Sequence, residues 1–225
     1  SAISQRVRAL EARVGAPLLC YGQDWHVGQD NGRLVFQDEN GLLDLPLPRL
    51  RGAHQIQNAG AAIAALRHLE APDPAFDAMM TEVSWPARMQ PLRDGPLTRI
   101  APALELWLDG GHNPAAGAAL SVLLQDLPKR PTYLVCGMLN TKDAAGFLTP
   151  LARVSDGLVA IPIPGEANAV PPEALATTAI AAGHDGRVSP DLKSALRDIA
   201  ARTPAARVVI CGSLYLAGHV LRENG

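Results

Sequence analysis

The apolar positions along this chain change period more than once. Ile3, Val7, Leu10 and Val14 recur every three to four residues, and Gly15 with Pro17 closes the run, so the pattern predicts an amphipathic first helix. A short strand is predicted at 18–21. From Trp25 to Leu47 the apolar residues come in short bursts, Trp25-His26-Val27, Leu34-Val35-Phe36 and Leu42-Leu43-Asp44-Leu45. Asn31-Gly32 and Asn40-Gly41 lie between them as hairpin signals, which predicts a small antiparallel sheet. After the breakers Pro46, Pro48 and Gly52, helical spacing returns near His54 and runs to about Glu70, with Ala59, Ala62, Ile63, Leu66 and Leu69 as the apolar stripe. Pro72 and Pro74 start a further short helix through Phe76 and Met80.

Beyond Arg88 the pattern alternates strand and helix. Strands are predicted at 103–108, 132–136, 157–161 and 207–211, with a shorter one at 187–188. Helices are predicted at 114–127, 143–154, 172–182, 190–201 and 214–222. Strands separated by helical segments need crossover connections, so the sheet is expected to be mostly parallel with helices on its faces. A domain boundary is placed near residues 84–88, dividing the chain into 1–83 and 84–225. In a sheet of this kind ligands collect at the carboxyl ends of the strands. Three predicted strands run into groups capable of chemistry there: Asp109, the stretch Gly137 to Asp143, and Gly212-Ser213.

Composition removes several classes. The chain has 225 residues, 48% of them hydrophobic, and a net charge of −2, so a packed core needs no staples and no basic face suggests nucleic acid. Apolar runs are short and interrupted, which argues against a membrane span. Arg6, Arg8, Glu11 and Arg13 occupy the place of a signal peptide's apolar core. Cys20, Cys136 and Cys211 are far apart and form no metal-binding spacing. Each closes an apolar run, as a small buried hydrophobe does in a reducing cytosol. A cytoplasmic protein is expected.

The run Leu106-Trp107-Leu108-Asp109-Gly110-Gly111-His112-Asn113-Pro114 carries the densest chemistry. It reads as a buried strand that ends on a carboxylate, turns through two glycines and enters a helix with Asn113 as N-cap and Pro114 in the first turn. Asp109 and His112 then lie beside the amides of a helix start, where a phosphate or carboxylate binds well. A capped turn with a solvent-facing imidazole fits the same residues. Arg88, at the predicted boundary, suits either a nucleotide contact or a solvated linker. His54 and Asn58 share one face of the second helix, and an Asn amide has the donor and acceptor that an adenine edge requires, although capping explains it as well. Lys142-Asp143 reads as a carboxylate site or as an ordinary helix start. Ser213 reads as a cap or as a carboxylate-binding hydroxyl. The 225 residues contain neither G-x-x-x-x-G-K-[S/T] nor G-x-G-x-x-G.

Taken in order, five pieces form a recognisable series: Gly52-Ala53-His54-Gln55-Ile56-Gln57-Asn58-Ala59; Trp85-Pro86-Ala87-Arg88-Met89-Gln90; Leu108-Asp109-Gly110-Gly111-His112-Asn113-Pro114; Gly137-Met138-Leu139-Asn140-Thr141-Lys142-Asp143; and Gly212-Ser213-Leu214-Tyr215-Leu216-Ala217-Gly218. The series resembles folylpolyglutamate synthase/dihydrofolate synthase, of the Mur ligase superfamily, over essentially the whole chain, and matches the C-terminal half of such an enzyme. The resemblance implies the α+β end of a central ATPase domain over 1–83, without its phosphate loop, followed by a complete Rossmann-like ligase domain over 84–225. It implies a ligase that uses ATP and Mg2+, whose main magnesium ligands lie outside these residues, and that joins L-glutamate to dihydropteroate or folate through an acyl phosphate. Asn58 would contact the adenine, Arg88 and Asp109 the ribose and phosphates, His112 the reacting phosphoryl group or the incoming glutamate, and Ser213 that glutamate. His112 and Asp109 are the catalytic candidates. The full-length form is expected to be a monomer with no nucleic-acid or membrane partner, and these residues alone are expected to be inactive. The interval from Arg88 to Asp109 is longer than the family pattern and predicts an extended hairpin over 93–102. Two alternatives stand beside this one: another Mur-type amino-acid ligase, acting on a cell-wall or storage polymer, and a non-catalytic Rossmann-like binding module.

Overall fold

A computed structural model describes the backbone of residues 2–225 and the side-chain surroundings from Val7 onward. Contacts divide the chain into two compact units, 1–84 and 85–225. The predicted role of the Ile3 side chain lies outside the described residues.

The first unit begins with α1 (Ala2–Val14). Strands β1 (Trp25–Asp30), β2 (Arg33–Asp38) and β3 (Gly41–Leu45) follow as an antiparallel meander. Asn31 and Gly32 both adopt positive φ, 48° and 76°, the backbone that a two-residue hairpin turn requires. This sets Trp25 opposite Asp38 and Leu34 opposite Leu45. Helix α2 (Ala53–His68) closes on the sheet, and α3 (Pro74–Thr81) adds Phe76 and Met80 to a core of Trp25, Leu34, Phe36, Leu45 and Ile63. The close approach depends on Gly60, where a Cβ would fall 2.6 Å from Val27 Cγ1 and 2.7 Å from Trp25 Cζ3. Arg67, near the end of α2, pairs with Asp38 and lies 5.5 Å from the centre of the Phe36 ring.

Two expectations fail in this unit. Residues 18–21 form no strand beyond a single bridge from Tyr21 to Trp25. The Asp24 carboxylate accepts the Cys20 amide, and the Cys20 carbonyl accepts the amides of Gln23 and Asp24, so local turn bonds take the groups a strand would need. Cys20 is only half-buried. The apolar stripe of α2 stops before Leu69, which is 74% exposed, because the chain leaves the helix and turns through Glu70 at φ 54°.

The second unit is a six-stranded sheet of order β4-β5-β9-β6-β7-β8. Strand β4 (Gln90–Pro91) pairs antiparallel with β5 (Glu105–Leu108). Strands β6 (Thr132–Cys136), β7 (Gly157–Ala160), β8 (Gly186–Val188) and β9 (Arg207–Cys211) complete a parallel set. Their alternate residues face two separate cores. Leu106, Leu108, Val135, Val208 and Ile210 join α4 (Pro96–Ile100), α8 (Leu192–Arg202) and α9 (Leu214–Asn224). Trp107, Leu134, Cys136, Val209 and Cys211 join α5 (Pro114–Asp126), α6 (Ala144–Leu148) and α7 (Pro172–Ala181). The chain steps from β5 to β8 in one direction and then returns to insert β9. Right-handed crossovers therefore put α5, α6 and α7 on one face and α8 on the other.

The predicted hairpin over 93–102 is instead the short helix α4. Pro96 takes its first position, where no amide is needed. Thr98 Oγ1 accepts the Gly95 amide, and the buried Asn224 accepts from Leu97 N and donates to Arg93 O. The predicted 143–154 helix is broken as well. After α6 the chain tightens into a 3-10 turn over Thr149–Leu151, since Pro150 has no N–H to donate.

Candidate functional site

Helix α5 leaves the carboxyl end of β5 toward one face, and α9 leaves neighbouring β9 toward the other. The two turns diverge from adjacent strand ends, which is the topological switch point where open α/β sheets bind ligands. Gly212 joins them by donating its amide to Gly111 O at 3.0 Å. Its φ of 101° favours glycine, and a Cβ there would meet Cys136 Sγ at 2.6 Å.

Asp109 continues β5 by donating its amide to Ile210 O. Both carboxylate oxygens take backbone amides: Oδ1 accepts Gly111 N at 2.8 Å and Oδ2 accepts Met89 N at 2.9 Å. The acid predicted to grip a nucleotide is thus also the tie between this turn and the segment carrying Arg88. His112, half-buried, points Nδ1 at Gly110 O, 3.0 Å away. A carbonyl only accepts, so Nδ1 carries a proton in this contact, and Nε2 is the ring nitrogen turned away from the backbone. Asn113 caps α5 through a 2.9 Å bond from Ala116 N, and Pro114 takes the first helical position, as predicted.

Arg88 is half-buried between two residues in unusual backbone. Ala87 has φ 56° and Met89 φ 40°, a region that costs a side-chain-bearing residue about 1–2 kcal/mol. Hydrogen bonds restrain this backbone. Ala87 N donates to Gln90 Oε1 at 2.9 Å, and Ala87 O accepts Gly110 N at 2.8 Å and Arg88 Nη1 at 3.1 Å. The Ala87 side chain is buried in one core and that of Met89 in the other. A Cβ on Gly110 would lie 3.2 Å from Arg88 Nη1 and 2.4 Å from Leu214 Cδ2, so glycine lets the guanidinium and the start of α9 approach this turn.

Ser213 is 3% exposed and caps α9, its Oγ accepting Tyr215 N at 3.1 Å. Beneath it, Cys136 and Cys211 face each other across paired strands. A hydrogen bond with Cys136 foremost, and then full burial, push the Cys211 thiol well above its ordinary range, with the charges of Cys136 and Asp109 adding to the effect. After β6, Asp143 caps α6 by accepting Gly146 N at 2.8 Å, and Lys142 is exposed.

Arg88, Asp109, His112 and Ser213 therefore gather at the carboxyl ends of β5 and β9. Asn58 belongs to the first unit. It is exposed on α2, and its Nδ2 donates to Gln55 Oε1 at 3.0 Å, while Gln55 Nε2 in turn lies 2.8 Å from His54 Nε2. Sequence reasoning passed over Gln90, although it stands in the quoted Trp85–Gln90 motif; only the backbone strain beside it reveals its bond. The donors at the switch point, a guanidinium and a helix start, fit an anionic phosphoryl group. Among the described residues no three His, Cys, Asp or Glu side chains cluster as metal ligands. No helix among them is long and apolar enough to cross a membrane.

Comparison with known proteins agrees with this architecture. Residues 98–223 match the family model for the dihydrofolate synthetase C-terminal domain, so the chain belongs to that family. It is 29% identical over 226 residues to folylpolyglutamate synthase of Lacticaseibacillus casei, covering 95% of this chain and 50% of that protein. Escherichia coli FolC in complex with DHPP and ADP superposes with a TM-score of 0.80 at 28% identity, covering 97% of this chain and 50% of that one. A bifunctional folylpolyglutamate synthase/dihydrofolate synthase with Mn, AMPPNP and L-glutamate bound gives the same TM-score, identity and coverage. The chain spans about half the length of the curated relatives it matches.

Proposed function

We propose that this chain forms the C-terminal part of an ATP-dependent ligase that adds L-glutamate to dihydropteroate, to the glutamate tail of folates, or to both. The family match over 98–223 carries the reading, because that span holds Asp109, His112 and Ser213. ATP supplies the phosphoryl group that activates the acceptor carboxylate as an acyl phosphate. The amino group of glutamate then attacks that carbonyl, giving the amide and releasing phosphate.

The chain's own residues act by position and charge. Arg88 directs a guanidinium at the nucleotide's phosphates, and the start of α5 adds the partial positive charge of its amides. Asp109 holds the Arg88 segment through the Met89 amide and accepts from ribose hydroxyls. His112 keeps Nδ1 on Gly110 O and turns Nε2 toward the reacting groups. Ser213 lies under the start of α9, close to the incoming glutamate. Asn58 reads the adenine edge. Mg2+ is a partner of the whole enzyme, with its main ligands outside these residues.

The test is product formation by the full-length gene product. Dihydropteroate, L-glutamate and ATP should yield dihydrofolate with one phosphate released per amide, and Asp109→Ala should lower turnover at least a hundredfold, on the order of 3 kcal/mol of lost stabilisation. Ligation of a nucleotide-linked muramyl peptide alone would replace this reading with a cell-wall ligase. The 225 residues by themselves should give no turnover.

A further inference from the structure

Arg88 is useful to a phosphate only if its loop is held in a backbone that Ala87 and Met89 do not favour. Three main-chain groups of that loop are fixed from outside it. Met89 N is taken by Asp109 and Ala87 O by Gly110 N, both from the β5–α5 turn. Ala87 N is taken by the side chain of Gln90, at 2.9 Å. Gln90 itself is fixed by strand pairing, opposite Leu108 in β5. Its carboxamide oxygen thus ties the first left-handed residue of the loop to the sheet edge, and strained backbone persists only when such ties over-determine it.

We infer that Gln90 is a positioning residue for Arg88: by accepting the Ala87 amide it holds the turn that presents the guanidinium to the nucleotide. The inference rests on the reading that Arg88 grips the nucleotide. Gln90 acts through the turn that carries Arg88. An oxygen acceptor at this position is what matters, so Glu serves in place of Gln and a methionine of similar length does not.

A double-mutant cycle on ADP binding, measured by titration calorimetry on the full-length gene product, tests this. Gln90→Met should weaken ADP binding about three- to tenfold, the effect of one lost hydrogen bond. Gln90→Glu should stay within about twofold of wild type. Arg88→Met should weaken binding at least as much as Gln90→Met, and adding Gln90→Met to it should cost nothing further, since the two act as one unit. Hydrogen exchange at the Ala87 amide should accelerate in Gln90→Met and not in Gln90→Glu, a readout independent of ligand. Additive losses in the double variant, or wild-type ADP binding in Gln90→Met while Arg88→Met is weakened, would overturn the inference and leave the nucleotide reading standing. Wild-type binding in Arg88→Met would remove the reading and the inference with it. If the methionine variant folds poorly, Gln90→Ala takes its place in the cycle.

Discussion

A carboxylate whose two oxygens both accept main-chain amides is structural before it is anything else. Removing Asp109 leaves Met89 N and Gly111 N without their acceptors, at about 1–3 kcal/mol for each amide that water cannot reach. Asp109→Ala should lower unfolding stability by about 2–4 kcal/mol in urea, and Asp109→Asn, which keeps one carbonyl acceptor but sets an NH2 donor against the other amide, should be destabilised as well. If both variants unfold like wild type, the tie between the Arg88 loop and the β5–α5 turn is not a load the fold feels. His184 gives a prediction with a different sign. Burial lowers its pKa below the ordinary histidine value of 6.5, outweighing the opposing effect of its 2.9 Å bond to Leu148 O. The unfolded chain thus takes up a proton here before the folded one. His184 contributes its full stability above about pH 6.5, and that contribution is lost as pH falls below this value toward the lowered folded pKa. Urea unfolding at pH 7.5 and 5.5 should show wild type losing more stability than His184→Gln. Equal losses would take His184 out of the acid response.

At the level of elements, legibility followed whether the signal was local. The β5–α5 turn was readable because Asn113, Pro114 and two glycines are each locally decisive, and the structure places cap, proline and turn where those residue types demand. The same held for the Asn31-Gly32 hairpin. Helix α4 is not legible locally because part of its start is capped by Asn224, far away in sequence, which no local window contains. The apolar spacing of 143–154 continues through Pro150, so it predicts a longer helix than forms, because the missing amide of Pro150 ends the α-type bonding. Contact between elements was the least visible of all. Gly117 looks like a weak helix residue, yet a Cβ there would fall 2.2 Å from Phe147 O, a backbone atom of α6 that cannot step aside. Gly117→Ala should therefore destabilise the protein by about 1–3 kcal/mol despite the better helix propensity of alanine. A stabilised variant in thermal or urea unfolding would mean that α5 and α6 separate at little cost.

On the scale of the whole chain, the sequence announced a mostly parallel sheet but not its strand order. All the strands of the second unit that read as apolar runs look alike in sequence, and nothing in residues 207–211 says that they enter between β5 and β6 rather than at an edge. That insertion creates the switch point and so decides where Arg88, Asp109, His112 and Ser213 meet. It also sets how the unit resists opening. Strand β9 is hydrogen-bonded on both sides, to β5 and β6, and is buried along its length, with Val208 and Ile210 in one core and Val209 and Cys211 in the other. Strand β8 has three residues and one neighbouring strand, and its Arg187 and Val188 are exposed. Local opening should cost far less at that edge than at the centre. Native-state hydrogen exchange should find the amides of β9 and β6 slowest in the second unit and those of β8 faster by at least about a hundredfold, a gap of about 3 kcal/mol in opening free energy. If β8 exchanged as slowly as β9, the sheet would open only as a whole. The central strand would then not be the rigid floor on which the site's two turns are built.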